Sequence, residues 1–181
     1  MDQVGVPPGR SRPHGYETLL RIVVGQQVST KAAAAIFERV RATIGEDMSP
    51  RRTLRLRETS LRKAGLSGRK VEYTRGLARA IVDGTLNLEQ MTSMKDEQVI
   101  EAITSLKGFG VWSAQMYLMF TLGRMDVWPG GDLGVREGVR LLLNLDERPT
   151  EKEMPELGEP FRPYRSAVAL LAWHLLHNAP A

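Results

Sequence analysis

Leu106-Lys107-Gly108-Phe109-Gly110-Val111 joins two stretches of helical spacing, and its reading decides the fold of this 181-residue chain. Two glycines stand two apart, with apolar residues between them and on both sides. Glycine admits positive φ and close backbone approach, while Leu106, Phe109 and Val111 plug the turn into the flanking helices. Before it, Asp96 to Leu106 carries Val99, Ile100 and Ile103 inward; after it, Trp112 to Leu122 carries Met116, Leu118, Met119 and Phe120. Such a hairpin aims the amides of Gly108 and Gly110, with those of the helix start at Trp112 and Ser113, outward as anion donors, a phosphate clamp. A plain helix–helix turn has the same spacing. A dinucleotide-binding loop is the poorer reading, because no strand precedes the glycines.

Helical spacing continues in both directions, and no window has the alternation of a half-buried strand, so the sequence predicts an all-α protein. Upstream, Leu19, Leu20, Ile22, Val23 and Val24 form a short apolar helix ending near Gly25. Ser29 offers an N-cap for a second helix with Ala32, Ala33, Ile36, Val40 and Ile44 inward, stopped by Gly45. One or two short helices over Leu54 to Gly65 and a break at Gly65-Leu66-Ser67-Gly68 lead to Arg69–Asp83, with Val71, Leu77, Ala78 and Ile81 inside. Downstream, a loop with Pro129, Gly130 and Gly131 precedes the helix Leu133 to Leu143, and Tyr164 to His177 closes the chain.

Composition narrows the chemistry. Without cysteine there is no disulfide framework, thiolate nucleophile or ordinary cysteine-ligated zinc or iron–sulfur cluster. No apolar run approaches the roughly 20 residues of a membrane span, and Met1 to Gly15 lacks the pattern of a signal peptide, so the expectation is a cytoplasmic protein without membrane contact. The net charge of +4 is unevenly spread. Arg51 to Arg79 holds ten basic residues against two acidic, whereas Asp146 to Pro160 holds six acidic against two basic and reads as solvated surface. A solvated helical face and a polyanion-binding face both fit the basic stretch.

Asp132 follows two glycines and precedes an apolar helix, which makes it an N-cap. A carboxylate at a helix N-terminus is stabilised in its ionised form, which suits a base or a stabiliser of positive charge better than a proton donor.

Four motifs in order now carry a resemblance. They are Gly25-Gln26-Gln27-Val28-Ser29-Thr30-Lys31-Ala32-Ala33, the hairpin through Trp112-Ser113-Ala114, Asp126-Val127-Trp128-Pro129-Gly130-Gly131-Asp132-Leu133-Gly134, and Pro163-Tyr164-Arg165-Ser166. Together, from about Tyr16 to about His177, they resemble the helix–hairpin–helix (HhH-GPD) DNA glycosylases, most of all the alkylbase, or 3-methyladenine, DNA glycosylase II branch. The resemblance implies a two-lobed helical fold with a cleft, within residues 16–181. Residues 1–15 would be a partly flexible lead, with no N-terminal sheet domain of the kind longer relatives carry. It implies a monomeric base-excision repair enzyme acting on double-stranded DNA. The enzyme would flip out an alkylated purine such as 3-methyladenine or 7-methylguanine and hydrolyse its N-glycosidic bond.

By that resemblance Asp132 is the catalytic carboxylate, stabilising the oxocarbenium and helping to activate water. Trp112, Trp173 and Met116 would line the base pocket, where aromatic faces attract a cationic purine more than its neutral parent. The same aromatics at helical spacing also suit core packing, and Trp128 suits loop packing. Gln27 aligns with the wedge that fills the gap left by the flipped nucleotide, although a helix-end cap explains it equally well. Backbone carbonyls of Thr104, Leu106 and Phe109 would hold a structural K+ or Na+ at the hairpin, with no cofactor required and no iron–sulfur cluster. Strand-cutting relatives carry a lysine where this chain has Trp112, so no lyase activity is expected; Lys107 lies out of register. Arg165 reads as an ion-pair former, and His174 and His177 lack a third metal ligand. A non-catalytic DNA-binding module is the reading from another class, disfavoured by Asp132.

Overall fold

Side chains of Ser29, Ser49, Ser67, Asn87 and Asp132 cap helix starts in the computed structural model, which describes residues 5–9 and 11–178. Residues 1–4 and 10 of the expected lead, and residues 179–181 at the other end, lie outside the described residues. The described residues contain helices and turns and no strand, so the all-α expectation holds. They divide into two compact units, one from Arg12 to Tyr117 and one built chiefly from Leu118 onward.

The first unit is organised around α1 (Tyr16–Gly25), whose Leu19, Leu20, Ile22, Val23 and Val24 are all buried, so it is a helix enclosed on most sides. Against it pack α2 (Thr30–Ile44) and α5 (Gly68–Val82), with α3 (Pro50–Arg55) and α4 (Glu58–Lys63) laid on α5. Ser29, Ser49 and Ser67 accept the amides of Ala32, Arg52 and Lys70 at 3.2, 3.3 and 3.3 Å, satisfying donors that each helix start leaves unpaired. The inner face of α2 is Phe37, Val40 and Ile44, while Ala32, Ala33 and Ile36 are only half-buried. Phe37 anchors this face, and the Arg21 guanidinium lies 3.7 Å from its ring centroid. Further on come α6 (Leu88–Met91), a one-turn helix capped by Asn87, then α7 (Asp96–Thr104) and α8 (Val111–Phe120), whose residues from Leu118 on count with the second unit.

The basic stretch proves to be partly architectural. Arg52 donates to the Ile44 carbonyl at the end of α2, Lys70 to the Val24 carbonyl of α1 at 2.7 Å, and Arg75 to the Leu56 carbonyl past α3 at 2.9 Å. Cations at helix C-termini satisfy orphan carbonyls and oppose the negative end of the helix dipole. Partial burial pushes the Lys70 amine below its ordinary value.

The second unit is built on the pairing of α9 (Leu133–Leu143) with α11 (Arg165–Asn178). Gly138 permits it, because a β-carbon there would run into the backbone of Ala172. Asn144 closes α9 in the left-handed conformation, a usual helix stop. The acidic stretch is not merely solvated surface: Met154 is fully buried, on α10 (Met154–Gly158), which continues into a 3-10 turn over Glu159–Phe161. Its charges point out while Met154 and Gly158 face in, an amphipathic turn too short to show periodicity.

Candidate functional site

The hairpin has the form its glycines require. Gly108 has φ of +89°, and a β-carbon on it would overlap the Tyr73 ring, so only glycine fits. Leu106 accepts from the Phe109 amide at 3.1 Å, and Phe109 is buried as the plug. Gln26 ties the turn to the end of α1, its Nε2 donating to the Gly108 carbonyl at 2.8 Å. That contact links residues 82 apart, and inspection of the motif as a string gives no hint of it. Among the described residues the amides of Gly108, Gly110 and Val111 donate to no backbone carbonyl. Lys107 stays outside and pairs with Glu72 at 2.7 Å, and that hydrogen bond raises its pKa above the ordinary lysine value.

Ser113 departs from expectation. It is 2% exposed, its amide donates to the Gly110 carbonyl at 2.9 Å, and its hydroxyl sits 3.5 Å from Gln26 Nε2. Ser113 therefore closes the hairpin from within, its amide already used there, whereas Gly110 and Val111 are exposed. On the same helix Met116 is buried and Trp112 half-buried.

Gln27 is exposed and has φ of +54°. Left-handed backbone is uncommon for a residue with a side chain and is retained where surroundings over-determine it, often at functional positions. Here it lies between the end of α1 and the Ser29 cap of α2, each fixed by its own packing.

In the second unit Asp132 caps α9: its Oδ1 accepts the Val135 amide at 2.9 Å. The same Oδ1 accepts the indole N–H of Trp173, also at 2.9 Å, from α11. Trp173 has 9% of its surface exposed and stacks on Phe120, with centroids 5.8 Å apart and planes at 29°. Gly134 leaves room for this meeting, since a β-carbon there would lie 3.0 Å from the indole Nε1 and 3.1 Å from Asp132 Oδ1.

The loop leading to Asp132 is strapped to the start of α11. Arg165 grips the Asp126 carboxylate with two bonds of 2.6 and 3.0 Å and its carbonyl with another of 2.9 Å, and Arg162 adds a contact of 2.7 Å. These cations, Arg165 first, hold the Asp126 carboxyl below its usual value. Ser166 completes the strap: its hydroxyl donates to the Arg124 carbonyl at 2.7 Å and accepts the Val127 amide at 2.9 Å. Arg165 is thus the ion-pair former expected, and the Pro163–Ser166 motif works by holding the loop. Trp128 packs the loop, its indole donating to the Met154 carbonyl at 2.6 Å beside Gly158. His177 contacts the Trp173 carbonyl at 2.6 Å. Among the described residues no three His, Asp or Glu side chains gather into a metal site, and no helix is long and apolar enough to cross a membrane.

A helical fold with a glycine hairpin offering free amides, and a glycine loop delivering a carboxylate at a helix N-terminus, defines a class of DNA repair proteins. The chain belongs to the HhH-GPD superfamily of base excision DNA repair proteins, which it matches over residues 20–163. It is 34% identical over 171 residues to DNA-3-methyladenine glycosylase 1 of Schizosaccharomyces pombe, covering 92% of this chain and 75% of that one. The fold is similar to that of the Schizosaccharomyces pombe 3-methyladenine DNA glycosylase in complex with abasic DNA, with a TM-score of 0.90 at 34% identity over 98% of this chain and 89% of that one. A DNA-3-methyladenine glycosidase from Bacillus halodurans is similar at a TM-score of 0.82 and 34% identity, covering 93% and 78%.

Proposed function

We propose that the protein is a monofunctional DNA glycosylase that, as a monomer, releases alkylated purines such as 3-methyladenine and 7-methylguanine from double-stranded DNA. The observation that carries this reading is Asp132: a carboxylate fixed by two donors at the N-terminus of α9, behind a strapped glycine loop. An N3- or N7-alkylated purine is already cationic, so it leaves with the bonding electron pair and becomes neutral. The sugar C1′ develops oxocarbenium character, a water adds there, and its proton passes to Asp132 or to solvent. Asp132 stabilises the positive sugar and orients the water. With Trp112 where lyases carry lysine, no Schiff base forms and the strand stays intact.

The exposed amides of Gly110 and Val111, with Gly108, serve as the phosphate clamp. Gln27, exposed on left-handed backbone, is the wedge entering the duplex where the nucleotide flips. Trp112 and Met116, both on α8, supply contacts to the flipped base. The Thr104, Leu106 and Phe109 carbonyls suit a monovalent cation: the Leu106 oxygen keeps a second lone pair beside its bond to Phe109, and those of Thr104 and Phe109 accept no backbone amide among the described residues. Such an ion would add positive charge next to the clamp.

Methylated duplex DNA tests the reading. Free 3-methyladenine or 7-methylguanine is expected, with strand breaks appearing only after alkali. Breaks without alkali would make the protein a lyase, and neither product would leave a DNA-binding module. Asp132→Asn is expected to keep duplex affinity and lose about 100-fold or more in single-turnover release; an unchanged rate would remove Asp132 from the reaction.

A further inference from the structure

We propose that Trp173 is a positioning residue, its indole N–H holding the Asp132 carboxylate in working orientation. The inference rests on the catalytic reading of Asp132 above and goes beyond the base-pocket role that sequence resemblance gives to Trp173.

A helix N-cap needs one donor, and the Val135 amide supplies it at 2.9 Å. The indole N–H brings a second donor to the same Oδ1 at 2.9 Å from α11, 41 residues away in sequence, and two converging donors define where the carboxylate lies. The indole is itself fixed. Phe120 covers one face, Gly134 leaves the clearance that lets Nε1 reach Oδ1, and Gly138 brings α9 close enough to α11. An indole nitrogen can only donate, so this bond cannot reverse its sense. Three glycines or aromatics thus converge on one hydrogen bond, more than an ordinary cap requires.

Trp173→Phe keeps an aromatic ring against Phe120 and removes the donor. Its single-turnover release rate is expected to fall about 10- to 100-fold, the range of a lost hydrogen bond to a charged group. The loss should be equal for 3-methyladenine, 7-methylguanine and a neutral lesion base, and affinity for a duplex with an abasic-site analogue should stay within about threefold. Gly134→Ala, which crowds the bond but keeps the indole, should lower the rate in the same way. The separating measurement is Trp173→Phe placed on Asp132→Asn, followed over days. With its carboxylate already neutralised, the double variant should release base no more slowly than Asp132→Asn alone.

A wild-type rate for Trp173→Phe overturns the proposal. So does an undiminished loss in the Asp132→Asn background, or a loss confined to cationic bases, because either would place the ring on the base and not on the carboxylate. If the unmodified protein releases no base from methylated DNA, the functional reading itself fails, an outcome distinct from an active enzyme indifferent to Trp173.

Discussion

Gly138→Ala sets two effects of opposite sign against each other. In an exposed helix interior, alanine is favoured over glycine by about 1 kcal/mol through backbone entropy. At Gly138 the new β-carbon meets the carbonyl oxygen, carbonyl carbon and α-carbon of Ala172, all backbone atoms with no rotamer to change. Relief requires moving α9 away from α11, and such overpacking costs about 3 kcal/mol at the upper end of its usual range. The net expectation is destabilisation of about 2 kcal/mol, a melting temperature lower by about 4–8 °C for a chain of this size. Gly76→Ala is the control. Gly76 lies inside α5 with negative φ, and nothing approaches its β-carbon position within 4 Å, so only the entropic gain remains. That variant should melt about 2–4 °C higher. Thermal melts of both should be paired with single-turnover release, where Gly138→Ala also loses rate because Asp132 and Trp173 sit on the two helices driven apart. A Gly138→Ala protein that melts as Gly76→Ala does would refute the claim that helix contact requires this glycine.

Two further predictions concern Asp126 and Gln27. The Asp126 carboxyl is held below its unfolded value, so its contribution is present above that value, about 3.9, and is lost as pH falls through the folded one. The melting-temperature deficit of Asp126→Asn at pH 7 should therefore shrink as pH is lowered from about 4 towards 2.5; a deficit constant with pH would assign the effect to packing. Gln27→Gly removes the penalty of a left-handed residue, roughly 1 kcal/mol, and should raise the melting temperature slightly while slowing release from duplex more than from single-stranded DNA. Equal slowing on both substrates would remove Gln27 from base flipping.

Local chemistry was legible in the sequence. The Ser29 cap, the glycine stop at Gly45, the hairpin between α7 and α8 and the span of α9 follow from rules acting within a few residues. The short α6 and α10 were not, because four or five residues make barely one turn and carry no period. Partnerships across distance were hidden for a different reason: a charge or a donor names its chemistry but not its mate. Arg165 reads as an ion-pair former without revealing Asp126, and Trp173 reads as an aromatic without revealing Asp132. Lys70 and Arg75 read as surface charge because nothing in a string marks the helix ends they cap.

Gln26 and Gln27 show how far this goes. They are the same residue type at consecutive positions, and motif alignment can separate them only by register. In the folded chain α1 ends at Gly25, Gln26 takes extended backbone with φ of −60° and ψ of 130°, and its amide turns inward to the Gly108 carbonyl. The next residue has φ of +54°, which reverses the chain towards the Ser29 cap and leaves its side chain exposed. One sign change in a backbone angle thus gives one glutamine to the hairpin and the other to solvent. It also joins them mechanically: the exposed residue is one peptide bond from a side chain that holds the glycine hairpin. Strain at Gln27 is retained because both flanks are anchored, by Gln26 to the hairpin and by Ser29 to α2. A residue placed this way is positioned by the bonds of its neighbours.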